Sequence, residues 1–348
     1  MLISIMSTQA KTDGFAFVEF VSSRPMELVE LFEHFGFRLR GKSKNDVFLM
    51  TQGAAAFLVN GNPNAFEKKH GPSVRAIGIR VDNARLAHAQ ALAGGALPAS
   101  PDAEGAFVVD TPTILGIGES LVYFVDTDFR ESFSLPVEVR NTPEGDASIL
   151  AVDHTSNIVH PQNLDVWANF YRDTFGFAEK QYLEVKGHMS GMRARSMVSP
   201  CGRVSIPVAA AAHDQPGVLN QNDEFIRDYG GEGIQHIALL TSDIEDTIRK
   251  LSAAGIEFMA APSKNYYDGI DGRLPGHGLD VARLAEQGIL ADGKGPQKIL
   301  LQRFTKRQIG PVFFEIIERR GEDGFGEGNF KALFESQEKD QQQRGTLN

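Results

Sequence analysis

Apolar residues follow the same order in two parts of the chain, a strand-like run and then a stretch with helical spacing. The strand-like runs cover Phe15–Val21 and Ala151–Val159. Each following stretch ends at a Phe-Gly-Phe triplet, at Phe35–Phe37 in one half and at Phe175–Phe177 in the other. The residues at helical spacing are Leu28, Leu31 and Phe32, and Trp167, Phe170 and Tyr171. The pattern therefore predicts a strand followed by a helix in each half.

Two further segments recur in the same order, so the whole pattern occurs twice. Gly71–Val81 matches Gly231–Thr241, and in both cases a strand pattern precedes a helical one. Leu121–Val125 matches Pro311–Glu315. Three matches in the same order favour duplication over coincidence. Short strands alternating with single helices predict two tandem modules of the α+β class.

The predicted boundary between the modules is the turn-rich stretch Asn141–Asp146. It divides the chain into an N-terminal module at 1–145 and a C-terminal module at 146–348. A glycine-rich insertion in the second module, Asn265–Gly295, contains one short apolar helix pattern near Val281–Leu290. Long ordered insertions often cover a site, and we expect this of the insertion.

Composition narrows the class of protein. With 42% hydrophobic and 23% charged residues, the chain has the composition of an ordinary globular protein. Its 45 acidic and 35 basic residues give a net charge of -10, which argues against nucleic-acid binding. No apolar run reaches the about 18 residues of a membrane span, and the single cysteine, Cys201, excludes an intramolecular disulfide. Whether Met1 or Met6 is the native start, no secretory signal pattern follows, so a cytoplasmic location is expected.

Candidate chemistry is confined to the second half when the halves are aligned. Three strand positions carry ligand-type side chains there and small or apolar residues in the first half. These positions are His154 opposite Gly14, His236 opposite Ala76, and Glu315 opposite Val125. Neither a G-x-S-x-G elbow nor a Walker loop occurs in the chain.

Two imidazoles and one carboxylate, with other coordination positions open, are the ligand set of non-haem Fe(II) oxygenases. A lone strand histidine is more often structural, but Glu315 lies in the apolar run Val312–Ile317, where an unpaired carboxylate would be costly. His236 also lies in an apolar run, so the pattern favours a metal site. His277 is the most credible alternate ligand, although a loop role is favoured for it.

These residues resemble the 4-hydroxyphenylpyruvate dioxygenase family along nearly the whole chain. The most specific blocks are Gly231–Leu239, Gly310–Ile317 and Gly321–Glu335. The resemblance implies two tandem vicinal-oxygen-chelate modules of βαβββ type, the C-terminal one forming an open barrel around the metal. It implies Fe(II) as the cofactor and a homo-oligomer, tetramer or dimer. The iron ligands that it implies are His154, His236 and Glu315.

The resemblance also implies a substrate pocket and a reaction. An aryl 2-oxo acid, 4-hydroxyphenylpyruvate, reacts with dioxygen by oxidative decarboxylation and ring hydroxylation with side-chain migration, giving homogentisate and CO2 in tyrosine catabolism. The C-terminal segment Phe325–Phe334 is predicted to act as a gate. The matching catalytic glutamines are Gln221, Gln235 and Gln302, and the matching substrate-binding residues are Pro207, Phe304, Phe313, Phe325 and Phe330.

Two pocket positions depart from the family pattern. The family has a serine where this chain has Ala194 and an asparagine where it has Ala209, and Asn220 or Ser205 could compensate. A pocket with fewer hydrogen-bonding groups discriminates less strongly between substrates. The departures keep open a sister dioxygenase of the same fold, similar to 4-hydroxymandelate synthase or acting on another aryl 2-oxo acid. A metal-free binding protein is the other alternative, against which the intact ligand set argues.

Overall fold

The computed structural model describes residues 9–62, 65–100, 108–134, 148–186, 191–212, 220–326 and 328–330. Three of the predictions fall on residues outside these ranges. They concern the native start at Met1 or Met6, the module boundary at Asn141–Asp146, and the part of the predicted gate from 331 to 334. The boundary stays a prediction.

The first module begins with the predicted strand and helix. The helix starts at Pro25, whose fixed φ suits a first helical position, and buries Leu28 and Phe32. The elements are β1 (Thr12–Val21), α1 (Pro25–His34), β2 (Arg38–Lys42), β3 (Val47–Gln52), β4 (Ala55–Asn60), α2 (Ala65–His70), β5 (Ser73–Val81), α3 (Ala84–Ala93), β6 (Thr113–Leu115) and β7 (Leu121–Val125).

The second module repeats this order and adds the insertion. The apolar helix pattern of the insertion is a helix that ends at Gly288, where φ is +67°, so Leu290 begins a strand instead. The elements are β8 (Ile149–Ile158), α4 (Leu164–Phe175), β9 (Ala178–Lys186), β10 (Gly191–Val198), β11 (Ser205–Ala212), α5 (Gln221–Tyr229), β12 (Gly233–Thr241), α6 (Ile244–Ala253), α7 (Lys264–Asp268), α8 (Ile270–Arg273), α9 (Val281–Gln287), β13 (Leu290–Gly293), β14 (Ile299–Phe304) and β15 (Phe313–Arg320).

Seven strands have the same order in the two sheets, which confirms the duplication, and the second sheet adds β13 at one edge. The strand order is β2-β3-β4-β1-β5-β7-β6 in the first and β9-β10-β11-β8-β12-β15-β14-β13 in the second. In both, the first strand is parallel to one neighbour and antiparallel to the other. The second sheet curls into a half-barrel. Among the described residues, no helix combines the length and apolar character needed to cross a bilayer.

Backbone pairing around the candidate ligands follows one pattern in both modules. In β12, Ala238 pairs with His154 of β8 on one side and with Glu315 of β15 on the other. In β5, Gly78 has the same place and pairs with one residue of β1 and one of β7. The counterparts of the three candidate ligands are therefore Phe17 for His154, Ala76 for His236 and Tyr123 for Glu315.

This register shows that the alignment of the two halves was wrong at two positions. Gly14 is not the counterpart of His154, and Val125 is not the counterpart of Glu315. The pairing of β1 with β5 shifts twice before Phe17, and a constant sequence offset cannot register such bulges. The rings of Phe17 and Tyr123 are both buried and lie 5.4 Å apart. The first module thus fills with aromatic side chains the place where the second module has ligand-type groups.

Phe314 connects the candidate ligand strand to the first module. Because side chains alternate along a strand, Phe314 faces away from the side shared by Phe313 and Glu315. Its ring is fully buried and contacts four aromatic rings of the first module at centroid distances of 4.7 to 6.3 Å. These rings belong to Phe20, Phe32, Phe35 and Phe57. The first module therefore supports the strand that carries Glu315.

Phe314→Ala should lower the free energy of unfolding by about 3–5 kcal/mol, the usual cost of truncating a buried phenylalanine. Urea denaturation followed by circular dichroism measures this difference. The matched control is Val166→Ala, because Val166 is 58% exposed on α4 and should change stability by no more than about 0.5 kcal/mol. Equal stability of the two variants would show that the cluster does not hold the modules together.

Candidate metal centre

Three side chains from adjacent strands converge at one point of the curled sheet. His154 lies on β8, His236 on β12 and Glu315 on β15, and these three strands are neighbours. The Nε2 atom of His154 is 3.2 Å from Oε2 of Glu315, and that of His236 is 3.5 Å from the same oxygen. All three donor atoms lie within 4.8 Å of one another. They form a compact set of two nitrogens and one oxygen.

The spacing of these donors fits a shared transition-metal ion. Donors about 2.1 Å from an ion and at right angles to each other are about 3 Å apart. The distances of 3.2 and 3.5 Å are close to that value. Two imidazoles and one carboxylate on one face of an ion leave the opposite positions open for other ligands. The residues therefore fit a metal ion with open coordination positions.

The orientation of His154 is fixed by a charged pair behind it. Its Nδ1 atom lies 2.8 Å from Oδ1 of Asp153 and donates to that carboxylate, which leaves Nε2 for a metal. Arg319 donates to both oxygens of Asp153, at 2.7 and 2.8 Å. It also donates to the main-chain oxygens of Glu322 and Gly324, just beyond the end of β15.

The electrostatics of the cluster favour a cation in contact with Glu315. Burial lowers the pKa of His154, but the Glu315 and Asp153 carboxylates outweigh burial and raise the pKa to about 9. Burial raises the pKa of Glu315, but the two histidines outweigh burial and lower that pKa to about 2. Burial keeps the pKa of His236 below its usual value. At neutral pH a proton on His154 thus provides the positive charge that a metal would supply instead.

A cavity opens directly from the three donors. The space open to the centres of water-sized molecules is about 50 Å³. The walls carry both aromatic and amide side chains. Among them are all the pocket residues that the sequence predicts, namely Pro207, Gln221, Gln235, Gln302, Phe304, Phe313, Phe325 and Phe330. The structure brings these eight together, and their roles stay predictions.

Several of these residues contact the donors. The Gln302 amide donates to Oε1 of Glu315 at 2.9 Å, on the oxygen that does not face the histidines. The ring of Phe313 stacks on His236 at 4.9 Å, and the edge of Phe325 meets His154 at 5.6 Å. The donors are therefore enclosed by groups that fix their orientation.

The two alanines lie side by side in the wall of this cavity. Ala194 of β10 pairs with Ala209 of β11. Asn220 does not compensate for them, because its Oδ1 accepts the main-chain N–H groups that begin α5 and its Nδ2 donates to the Gly191 carbonyl. Ser205 lines a separate cavity. The hypothesis that Asn220 or Ser205 replaces the lost polar groups is therefore wrong.

Asn222 is a pocket residue that the sequence analysis missed. Its side chain is 2% exposed, and its Nδ2 atom has no hydrogen-bond partner among the described residues. It precedes Phe225 by one helical turn, and Phe225 packs with Ala194 and Ala209. Asn222 lines the cavity together with the two alanines. No local pattern indicates this, because its place depends on the strands against which its helix packs.

His277 is not part of the donor cluster. Its Nε2 atom lies 2.8 Å from a carboxylate oxygen of Asp271, and its Nδ1 atom accepts the Leu279 N–H at 2.8 Å. Both ring nitrogens are therefore engaged within the insertion, as the favoured loop role predicts.

Comparisons with known proteins identify the family. A model described as hydroxyphenylpyruvate dioxygenase, N-terminal, matches residues 7–138, and one for the glyoxalase/bleomycin resistance protein/dioxygenase superfamily matches 151–278. Hemolysin VllY of Vibrio vulnificus is 42% identical over 97% of this chain and 97% of its own length. The 4-hydroxyphenylpyruvate dioxygenases of Pseudomonas aeruginosa and Legionella pneumophila are each 41% identical, over 97% and 96% of this chain and 96% of their own length.

Solved structures agree with the two-module fold. A fusion of a xylose isomerase-like TIM barrel with 4-hydroxyphenylpyruvate dioxygenase is 26% identical, with a TM-score of 0.79 over 95% of this chain and 53% of its own. A variant of 4-hydroxymandelate synthase from Streptomyces coelicolor has a TM-score of 0.78 over 95% of this chain and 99% of its own. It is 22% identical in sequence, so it supports only the similarity of fold. The modules have the vicinal-oxygen-chelate fold, and the chain belongs to the 4-hydroxyphenylpyruvate dioxygenase family.

Proposed function

We propose that this chain is a non-haem Fe(II) dioxygenase that converts 4-hydroxyphenylpyruvate and dioxygen to homogentisate and CO2. The observation that carries the proposal is the convergence of two imidazoles and one carboxylate at the inner end of an aromatic-walled cavity. Relatives at about 41% identity over nearly the whole chain carry the name of this activity. The ligand residues are His154, His236 and Glu315.

The residues of the chain hold and orient the reactants. Fe(II), when bound, supplies the redox chemistry with dioxygen. His154, His236 and Glu315 would hold the ion and would leave coordination positions for the 2-oxo acid and dioxygen. Asp153 keeps His154 in the tautomer that presents Nε2, and Gln302 holds Glu315. No side chain needs to act as a general base.

The cavity walls suit an aromatic substrate. Phe304, Phe313 and Phe325 lie beside the histidines and can contact the ring of the substrate by stacking or edge contacts. Phe330 packs near Ala194 and Ala209, farther along the wall. With the 2-oxo acid group at the ligands, the ring is directed along these walls.

Product analysis tests the proposed function. Protein loaded with Fe(II) without oxygen is mixed with 4-hydroxyphenylpyruvate and air, and the product is identified by mass and chromatographic retention. We expect homogentisate. The second candidate is a sister dioxygenase of the same fold, which the alanines at 194 and 209 favour, and 4-hydroxymandelate as the product would support it. Absence of any oxidised product would refute both.

The alanines should weaken the preference for a ring hydroxyl. A missing hydrogen bond costs about 1–3 kcal/mol, which is a factor of about 5 to 150 in kcat/KM. We therefore expect measurable turnover of phenylpyruvate, and Ala194→Ser combined with Ala209→Asn should increase the preference for the hydroxylated acid. The measurement is the ratio of kcat/KM for the two acids in each protein. A wild-type preference above about ten-thousandfold would contradict this interpretation.

Asn222 provides the matched variant for this experiment. Leucine has the same branching as asparagine, so Asn222→Leu removes the amide and keeps a side chain of similar length in the wall. Its kcat/KM for 4-hydroxyphenylpyruvate should fall by a similar factor, while that for phenylpyruvate should stay within about twofold. Equal losses for both acids would show that Asn222 affects packing only.

Metal binding should release a proton at neutral pH. The pKa of His154, about 9, lies above the ordinary value of 6.5. Its proton therefore stabilises the metal-free fold below pH 6.5, and that stabilisation is lost as the pH rises through about 9. Metal affinity should increase about tenfold per pH unit over this interval. Calorimetric titration with Fe(II) in two buffers at pH 7.5 should show about one proton released, and no release would contradict the ion pair.

The homo-oligomer, a tetramer or dimer, and the cytoplasmic location stay predictions. Sedimentation of the metal-loaded protein measures the first of them.

A further inference from the structure

Tyr266 lies on α7 of the insertion and reaches the donor cluster through hydrogen bonds. Its hydroxyl is 2.6 Å from Oδ1 of Asn329 and 3.1 Å from the main-chain oxygen of Ala291, and it accepts the Ala291 N–H at 2.8 Å. Asn329 belongs to the closing segment, defined here as residues 325, 326 and 328–330. The insertion thus contacts the segment that covers the cavity.

The connection continues through two buried amides to Glu315. Nδ2 of Asn329 donates to Oε1 of Gln302 at 2.8 Å, and Nε2 of Gln302 donates to Oε1 of Glu315 at 2.9 Å. These three side chains are between 2% and 4% exposed. Hydrogen bonds in such surroundings are costly to leave unmade.

The charge of Glu315 determines the direction of every hydrogen bond in this series of side chains. An ionised carboxylate only accepts, so Gln302 must present its NH2 group to Glu315 and its oxygen to Asn329. Asn329 must then present its own NH2 group to Gln302, which leaves its oxygen for a donor. A hydroxyl has a single proton to donate, and Tyr266 gives it to this oxygen at 2.6 Å. The Tyr266 hydroxyl is therefore the last donor in this series of hydrogen bonds.

The closing segment packs directly on the same residues. A Cβ atom on Gly326, whose φ is +77°, would lie 2.3 Å from Oε1 of Gln302. A Cβ atom on Gly328 would lie 2.6 Å from Oδ1 of Asp292, and Oδ2 of the same carboxylate accepts the Gly328 N–H at 2.8 Å. These glycines allow the segment to approach β13 and β14 closely. The same close packing holds Asn329 next to Gln302.

We propose that Tyr266 is a positioning residue that fixes the orientation of Glu315 through the closing segment. The Tyr266 hydroxyl holds Asn329, Asn329 holds Gln302, and Gln302 fixes the carboxylate. Without the Tyr266 hydroxyl, Asn329 loses a donor and Glu315 loses part of its support. This inference rests on the metal site in the proposed function.

The experiment compares Tyr266→Phe with Tyr267→Phe. Both variants remove one hydroxyl from α7, but the hydroxyl of Tyr267 is buried and makes no hydrogen bond among the described residues. Hydrogen exchange of the Asn329 and Phe330 amides, which donate to the Gly326 carbonyl, reports on how firmly the closing segment is held in place. Anaerobic titration with Fe(II) reports on the ligands. Both are measured on the full chain, and neither depends on turnover.

Tyr266→Phe should increase the exchange rate of these amides by about 2- to 12-fold, because the hydrogen bond that holds Asn329 is lost. It should also weaken Fe(II) binding. Tyr267→Phe should change neither. Asn329→Leu should give an effect at least as large. Adding Tyr266→Phe to Asn329→Leu should have no further effect, because both substitutions interrupt the same series of hydrogen bonds.

Unchanged exchange and Fe(II) affinity in Tyr266→Phe would overturn the inference, as would equal changes in both tyrosine variants. Failure of the wild-type protein to bind Fe(II) would instead refute the metal site, and this inference with it. Normal wild-type binding without a difference between the variants would reject the role of Tyr266 alone.

Discussion

Glu315→Ala should abolish retention of Fe(II) and lower turnover of 4-hydroxyphenylpyruvate by at least about a thousandfold. The substitution removes the only anionic donor of the cluster, and a bound metal contributes several kcal/mol of transition-state stabilisation, of which about 4 kcal/mol corresponds to that factor. It also leaves two imidazoles that lack the charge of a carboxylate to hold a divalent ion. Iron content after gel filtration and the rate of oxygen uptake measure the two effects.

Glu318→Gln is the matched control for Glu315→Ala. Glu318 lies on the same strand and is 5% exposed, but it faces away from the cavity and accepts the N–H of Ile244 at the start of α6. Glutamine keeps an oxygen for that bond. The control should keep its iron and its activity. If Glu315→Ala also kept stoichiometric iron and normal turnover, the assignment of Glu315 as a ligand would be wrong.

Asp153→Asn should weaken Fe(II) binding by about 10- to 100-fold, the range found for residues that support a metal-bound histidine. Burial raises the pKa of Asp153, but Arg319 and His154 outweigh burial and hold that pKa below its usual range, so the group is ionised at neutral pH. Asparagine carries no charge and offers Arg319 only one acceptor. Asparagine therefore holds His154 less firmly in the orientation that presents Nε2. Anaerobic Fe(II) titration measures the change in affinity.

Asp323→Asn provides the comparison for the charge change at Asp153. Asp323 forms a surface ion pair with Lys180, and its side chain is 79% exposed. Such pairs contribute little, so the Fe(II) affinity of this variant should match that of the wild type. A loss of affinity as large as that of Asp153→Asn would show that general electrostatics, rather than support of His154, explains the effect.

The sequence was sufficient to predict the duplication and to select three side chains that the structure brings together. The role of these side chains as metal ligands stays a prediction. The strand-and-helix order appears in the apolar spacing of each half. Glu315 stands out because it interrupts the apolar run Val312–Ile317. The structure brings it within 3.2 Å of His154, as a shared ligand role requires.

Other features depend on register and on contacts between distant parts of the chain. A constant offset placed Gly14 opposite His154, whereas bulges in β1 bring Phe17 to that position. The pairing of Arg319 with Asp153 joins residues 166 positions apart, and no local pattern indicates it. Asn222 and Tyr266 were missed for the same reason, since each acquires its role from the wall or the segment against which its helix packs.

The most direct measurement of the central claim is oxygen uptake during stepwise anaerobic loading with Fe(II). Samples holding increasing ratios of Fe(II) to chain are each given 4-hydroxyphenylpyruvate and a known amount of dioxygen. The uptake rate should rise in proportion to iron and become constant at one Fe(II) per chain, with one homogentisate formed for each dioxygen consumed. Uptake that does not depend on iron, or full loading of the wild-type site without oxygen consumption, would contradict this claim.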